Sequence, residues 1–567
     1  MDRTGRGSEP SGPFSLRRRI DSYVVKSALL RSVTVLAFVA GFFGSFVHSL
    51  AFKSEQHAGH TLPPIALDVL QRPVTLQSGI GRAHDDAGTK SKEAQAFYDQ
   101  GLAYLHSYVW IEAARAFNAA LRADPGLALA QVGLSIAYVE VSRPAEARQA
   151  IVAARGMASS QTDHVRRHID ARALQMAAEE SPGDAARLAA YRKALDAAIE
   201  AYPKDIELML SRGMAETPDP AERGQGSTAA SAKYYDRALT IEPASFAARH
   251  YLAHAAENSG AQNAALEQST AYAKAAADVP HARHMLGHNL RRAGRVFDAI
   301  AEFEAADRLH RGYSKREQIP LQYDWHFEHN LGLLATSLQY TGQMNRAETL
   351  FKAAFDLPTG LLVQAYNKRE WPMFLRSRGR LPEAETAARA LIANANPVVQ
   401  ATGHIERGFV ALAANRFADA GVESNTALKL LRSAPGGAVA ANALLALQGE
   451  FHLRTAAREK GRATLEEVAR RLRAAPGPDA WSQALFSLEA IARTARAVGD
   501  WELAERMARQ LLEHDPAYAG GHYALALVAE HNADQATARS EFTQALKLWA
   551  KADPDLPELA EMKRKSR

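Results

Sequence analysis

The chain has 567 residues, is 47% hydrophobic and contains no cysteine, which excludes disulfides, thiolate metal sites and a cysteine nucleophile. Its formal net charge is +5, and residues 1–31, with seven Arg or Lys against three Asp or Glu, supply +4 of it. The remainder is nearly neutral, so a pI of about 9.1 gives no argument for nucleic-acid binding, which needs a basic stripe on the folded part.

Residues 1–31 are polar, carry Arg17, Arg18, Arg19, Lys26 and Arg31, and are expected to form a disordered cytoplasmic tail. From Ser32 to Phe52 there are 21 residues without a Lys, Arg, Asp or Glu. At a helical rise of about 1.5 Å per residue this run spans a bilayer core, and a transmembrane helix is predicted over 32–52. Basic residues crowd its amino-terminal flank, whereas only Lys53 precedes Arg72 on the other side. The positive-inside rule therefore keeps the tail cytoplasmic and sends the rest outward as a single-pass inner or plasma membrane protein with a periplasmic, extracytoplasmic domain. Cleavage after a small-x-small pair at Ser49 and Ala51 would instead release a secreted protein. Residues 53–90, with Pro63, Pro64 and Pro73, lack helical periodicity and are expected to be a linker holding the repeats off the membrane.

The array expected over 91–550 shows its unit best at His281–Ala306. Leu286 and Leu290 share a helical face, Gly294 breaks the pattern, and Phe297, Ile300 and Phe303 resume it: a helical hairpin of about 34 residues that must stack on copies of itself. With Pro280 as position 1, Leu286, Gly287, Leu290, Ala299, Phe303 and Ala306 fall at positions 7, 8, 11, 20, 24 and 27. In the unit from Ala94, Phe97, Gly101, Tyr104, Ala113, Phe117, Ala120 and Pro125 fall at 4, 8, 11, 20, 24, 27 and 32. On these positions the chain resembles the tetratricopeptide repeat (TPR) family. The resemblance implies an all-α, TPR-like solenoid, a right-handed superhelix of about 12 hairpins. Further units begin near Ala128, Phe246, Glu328, Ala365, Ala401, Val439, Leu485 and Ala519, and the run Thr217–Ser227 is the expected internal hinge. The tail 551–567 is expected to supply a capping helix at Leu556–Met562 and a basic end.

In the family it resembles, positions 2, 5, 9 and 12 of the first helices line a concave groove. In the unit at Pro280 these are His281, His284, His288 and Arg291; in the preceding unit they include His250, His254 and Glu257; the next offers His329, with Asp324, Trp325 and His326 just upstream. Of 20 histidines in the chain, eight lie between His250 and His329, far above an even spread, although histidine played no part in setting the frame. The patch is expected to serve in one of three ways: as hydrogen-bonding groups for a peptide or polar ligand, as ligands of a metal or haem completed by Asp324 or Glu328, or in pairs with Glu257 or Asp324. Elsewhere the groove positions are Leu129, Val132, Ile136 and Val139, an apolar stripe able to dock a helix, and Tyr366, Arg369, Met373 and Arg376, suited to an acidic partner. There is no GxSxG, HExxH, phosphate-binding loop or dinucleotide fingerprint, so an enzyme reading rests wholly on the histidines.

The sequence thus reads as a membrane-anchored scaffold holding a protein or peptide in its groove, with no nucleic-acid partner and no cofactor. The alternative is a protein binding a divalent metal or haem through His250, His254, His281, His284, His288, Asp324, His326 and His329. If the groove histidines are exposed, replacing His284 and His288 should leave stability nearly unchanged.

Overall fold

The computed structural model describes residues 62–475 and 478–566. The expected tail, transmembrane helix and first part of the linker lie outside the described residues. Among those described there is no strand, and no helix is long and apolar enough to cross a membrane.

Among the described residues twelve helical hairpins follow one another. The first six are Lys92–Leu105 with Trp110–Ala123, Ala128–Glu140 with Pro144–Met157, Asp163–Glu179 with Ala185–Ala201, Ile206–Met214 with Ala229–Ile241, Phe246–Asn258 with Gln262–Ala275, and Pro280–Arg292 with Val296–Glu317. The seventh is Trp325–Tyr340 with Met344–Asp356, and the eighth opens on a broken helix, Leu362–Asn367 and Glu370–Ser377, before Leu381–Ile392. Pro372 explains the break, because it donates no hydrogen bond and its ring excludes the carbonyl four residues back, at Lys368. Pro397–Ala413 with Phe417–Ser433, Ala441–Arg454 with Arg458–Ala474, Pro478–Ala497 with Trp501–His514, and Ala519–His531 with Gln535–Leu548 complete the array.

Two local features show why this sequence folds this way. A β-carbon added at Gly101, Gly213 or Gly287 would lie 2.4, 2.3 or 2.5 Å from the ring of Phe117, Tyr235 or Phe303, so the helices approach only because position 8 lacks a side chain. In nine of the twelve hairpins the turn between the helices takes one left-handed residue at position 15. Glycine fills it in five hairpins (Gly260, Gly294, Gly342, Gly379, Gly499), whereas Tyr108, Ser142, Asn415 and Ala533 adopt the same conformation elsewhere. Of these Tyr108 is the bulkiest, and its side chain proves to be the reason it is there.

The stretch 62–90 is not the spacer expected from its composition. Carbonyls along it accept hydrogen bonds from the repeats: Ile65 from Arg143 Nε (3.0 Å), Leu70 from Asn118 (3.0 Å), Pro73 from Arg115 (2.9 Å), Gly79 from the Asp278 amide (2.9 Å) and Asp85 from Gln95 (2.8 Å). Ile65, Leu70 and Ile80 are buried beneath it. A largely non-helical backbone has carbonyls to satisfy, and side-chain donors of the first and second hairpins, with the Asp278 amide just after the fifth, satisfy them. The hinge expected at Thr217–Ser227 is likewise a packed loop. Arg192 donates to Thr217 O (2.8 Å), Gln175 to Pro220 O (3.1 Å) and Asn258 to Ser227 O (3.0 Å). The apolar stripe Leu129, Val132, Ile136 faces a cavity of about 90 Å³ closed by neighbouring hairpins, with no room for a helix.

Among the described residues the apolar interior has two large cores and three smaller clusters. One core runs from Ile65 to Ile319 and another from Leu290 to Val528. In the second half the end of the chain returns to the seventh and eighth hairpins: Trp549 Nε1 donates to Tyr340 O (3.0 Å), the Asp553 amide to Gly342 O (3.0 Å), and Arg378 pairs with Glu558 (2.9 Å) on the final helix, Pro557–Lys565.

Candidate metal centre

The histidines sit on the first helices of hairpins five, six and seven. Ser245 caps the first of these through the Ala248 amide, Pro280 starts the second, and Asp324 caps the third through the His326 amide. This fixes the helical register, and residues three and four apart then stack on one face. His281 lies between neighbours on either side, with ring centroids 4.8 Å from His250 and 4.2 Å from His326; His284 lies 4.2 Å from His288 and 4.9 Å from His329.

The expected open groove is filled here by the chain itself. His250, His254, Glu257, His281, His284, His288, Arg291 and His326 are all buried. The turn of the first hairpin covers His250, His254, His281 and His326, and Tyr108 enters among them, 4.7 Å from the ring of His250, 4.9 Å from His281 and stacked at 6.0 Å on His326. Hydrogen bonds lock the turn in place: Tyr108 Oη donates to Arg223 O (2.8 Å), Tyr272 Oη to Ser107 Oγ (3.0 Å), and His106 joins Tyr251 Oη (2.8 Å) to Glu207 (2.9 Å). The expectation that replacing His284 and His288 is harmless therefore fails, because both are core residues against the ring of Phe303.

Two triads stand out, His250, His254, His281 and His284, His288, His329; in each, one ring nitrogen per residue lies within 4.8 Å of the others. In the first triad His250 Nε2 is 3.1 Å from His254 Nε2 and 2.9 Å from His281 Nε2. His250 Nδ1 lies 2.7 Å from the carbonyl of His106 and must donate to it, which leaves Nε2 as a bare lone pair facing two other nitrogens. In the second triad His284 Nδ1 is 3.1 Å from Asn330 Oδ1, and the Asn330 amide is oriented by its own donation to Phe303 O (2.9 Å). His284 Nε2 is then the unprotonated nitrogen. His281 Nδ1, His326 Nε2 and both nitrogens of His288 have no hydrogen-bond partner.

Burial strips water from these rings and, with repulsion among them, pushes His250, His281, His284, His288 and His326 well below the usual imidazole value, while burial alone takes His254 down to about 3. All six are neutral at pH 7, the form in which imidazole binds metal.

Other predicted residues lie elsewhere. Asp324 does not reach the triads: it caps its helix and pairs with His310, also buried. Arg291 turns toward Thr336 Oγ1 (3.0 Å) and over the Trp481 ring (5.0 Å). Glu257 is 3.8 Å from His288 Nδ1 and 3.5 Å from Arg292. Glu328 borders a small cavity that His329, the outermost member of the second triad, also lines. Tyr366 and Arg369 belong to a cavity of about 550 Å³ in the second half, shared with Met373, Arg376, Phe409 and Arg454. Arg369 is held there by Glu406 (3.2 Å) and Tyr366. Sequence reading missed Tyr108, His106 and Asn330, the residues that close the cluster and fix its tautomers.

No protein-family model and no curated protein sequence matches the chain. Among solved structures, similar ones include a human IFIT1 dimer with PPP-AAAA (12% identity over 75% of this chain and 90% of that one, TM-score 0.37). Others are the APC/C hetero-tetramer Cut9–Hcn1 (12%, 84% and 97%, 0.28) and yeast Tom70 (13%, 84% and 96%, 0.31). A helical-repeat fold is what they share. At these overlaps nothing further passes from them to this chain.

Proposed function

We propose that this chain is a helical-repeat protein that holds transition-metal ions in the buried histidine cluster of its amino-terminal half. The observation supporting this best is the pair of orienting hydrogen bonds, His250 Nδ1 to His106 O and His284 Nδ1 to Asn330 Oδ1, one per triad. Histidine ligands of metals characteristically donate their second N–H to an oxygen acceptor, which aims the other nitrogen and raises its basicity. An all-imidazole set suits zinc, copper or nickel, and hard oxygen-seeking cations poorly. Haem fits less well, because Tyr108 and the imidazoles already pack ring against ring at 4.2–4.9 Å. Enclosure by the first hairpin favours holding an ion over turning over a substrate. The test is metal analysis of the full chain, purified without a histidine tag in detergent and refolded with zinc or copper. One ion per triad is expected, lost in His250→Ala and His284→Ala respectively; a chain that stays metal-free overturns the reading.

A second reading applies to the carboxyl-terminal half, where the cavity of about 550 Å³ is favourable to a polypeptide partner, as the resemblance to tetratricopeptide repeats implies. Arg376 lies over the Phe409 ring at 4.6 Å, its Nε has no hydrogen-bond partner, and a carboxylate-bearing segment would supply one. Selection of peptides against the full chain should enrich acidic ones that no longer bind Arg376→Glu. Peptides indifferent to that change would count against this reading. For location we retain the anchor at 32–52, with the repeats outside the cytoplasm. A reporter enzyme active only in the cytoplasm, fused after Arg567, should be silent, and activity would reverse the topology.

A further inference from the structure

A different set of metal-ligating side chains meets where the amino-terminal strap crosses the third and fourth hairpins. We infer that Asp85, His164, His168 and Asp205 form a second, independent site for a divalent cation, zinc by its donor set. None of the four lies on the histidine stripe, and the site stands whether or not the buried cluster binds metal.

The four come from three separate segments, and one ligand atom of each lies within 4.8 Å of the others. His164 and His168 are one turn apart on Asp163–Glu179, so their rings share a face, with centroids 4.8 Å apart. Both direct Nε2 at a single oxygen, Asp205 Oδ2, at 2.7 and 2.8 Å. Asp205 is held by its role as helix cap: Oδ1 accepts the Leu208 amide (2.9 Å), which leaves Oδ2 for the histidines. Asp85 approaches from the opposite side on the strap, with Oδ1 3.6 Å from His164 Nε2, its carbonyl fixed by Gln95 (2.8 Å) and its Oδ2 contacted by Tyr98 Oη (3.4 Å).

Two imidazoles at i and i+4 with two carboxylates is a tetrahedral zinc donor set, and zinc bonds of about 2.0–2.2 Å put ligand atoms roughly 3.4 Å apart. The short Nε2–Oδ2 contacts open and the longer ones close by side-chain rotation alone. Two carboxylates with two imidazoles in their deprotonated, metal-binding form carry −2, which one dication cancels as it displaces the imidazole proton shared with Asp205. A hydrogen-bonded group with no ion accounts for the short contacts of His164 and His168 to Asp205, whereas Asp85 stands off at 3.6 Å from His164 and 3.4 Å from Tyr98 Oη, distances that an ion between the four would close. The side chains of His164 and His168 are 18% and 12% exposed, so an ion enters from solvent, unlike the enclosed triads. Bound zinc would tie the strap to two hairpins.

The test uses the full chain in detergent, dialysed against zinc alone, with Asp85→Asn and His164→Gln as variants. Each variant should lower zinc by one ion per chain with the helical melting curve little changed. X-ray absorption of the ion lost should show mixed nitrogen and oxygen ligands. Zinc should also protect the wild-type strap from trypsin at the exposed Arg82 and Lys90, and fail to protect Asp85→Asn. Variants that bind as much zinc as wild type, as tightly, overturn the site. The double variant His250→Ala, His281→Ala should keep this ion, so failure of the buried cluster and failure of this site give different results.

Discussion

The two halves of the array use the same packing code and end with opposite interiors. In the first, the turn of hairpin one enters the groove of hairpins five to seven, and of six buried, neutral histidines four lie around Tyr108 and two pack on Phe303. In the second, the chain end clasps hairpins seven and eight, and a cavity of about 550 Å³ lined by Arg369, Arg376 and aromatic rings remains. A repeat therefore specifies how hairpins stack and leaves open what occupies the space they surround. That space is closed by segments remote in sequence, and the chemistry of each half follows from which segment arrives.

The largest contrast should appear on acidification. The six histidines have folded values below the unfolded value near 6.5, so the unfolded chain takes up protons that the folded one refuses. Their stabilising neutrality is complete well above pH 6.5 and is lost as pH falls through it, by up to about 8 kcal/mol at pH 5.5 if all six stay neutral. In the other half, burial raises Glu406 and Asp515, whose sign is opposite: they favour the fold as pH falls. Hydrogen exchange at pH 7 and 5.5 should show lost protection over residues 246–340 and little change over 397–548. Uniform loss across both halves would break the comparison.

Next is Tyr108→Ala. Deleting a fully buried aromatic ring costs about 3–5 kcal/mol, and thermal unfolding should show it together with new reactivity of the histidines toward diethyl pyrocarbonate. Met373→Ala, at the half-buried wall of the open cavity, should cost only about 1 kcal/mol. Equal costs would mean that the second interior is as tightly closed as the first.

Smaller effects test the shared code and the clasp. Gly287→Ala places a methyl 2.5 Å from Phe303 and should cost about 1–3 kcal/mol, whereas Gly294→Ala, with open space around it, meets only its backbone strain. A smaller loss at Gly287 than at Gly294 would put the register in doubt. Arg378→Ala removes a partly exposed pair with Glu558 and should cost no more than about 1 kcal/mol. It should be seen as faster proteolysis of Pro557–Lys565, with hairpins one to six unaffected.

The sequence by itself determined the hairpins, because positions 8, 20, 24 and 27 report contacts within a unit and with its neighbour, and those recur every 34 residues or so. It also determined that His281, His284 and His288 share one stripe, since helical periodicity alone puts them there, while the repeat frame was needed to set His250 beside them. Their burial was decided only by tertiary structure. His250 meets His106 across 144 residues and Tyr272 meets Ser107 across 165, and such contacts leave no period in a sequence. His164 and His168 stand at an i, i+4 spacing that the sequence analysis did not single out, and Asp85 sits in a stretch without helical periodicity, so only the fold brings its carboxylate to them. Local periodicity encodes neighbours; the closure of a groove depends on where distant segments run out of other places to satisfy their carbonyls and bury their rings.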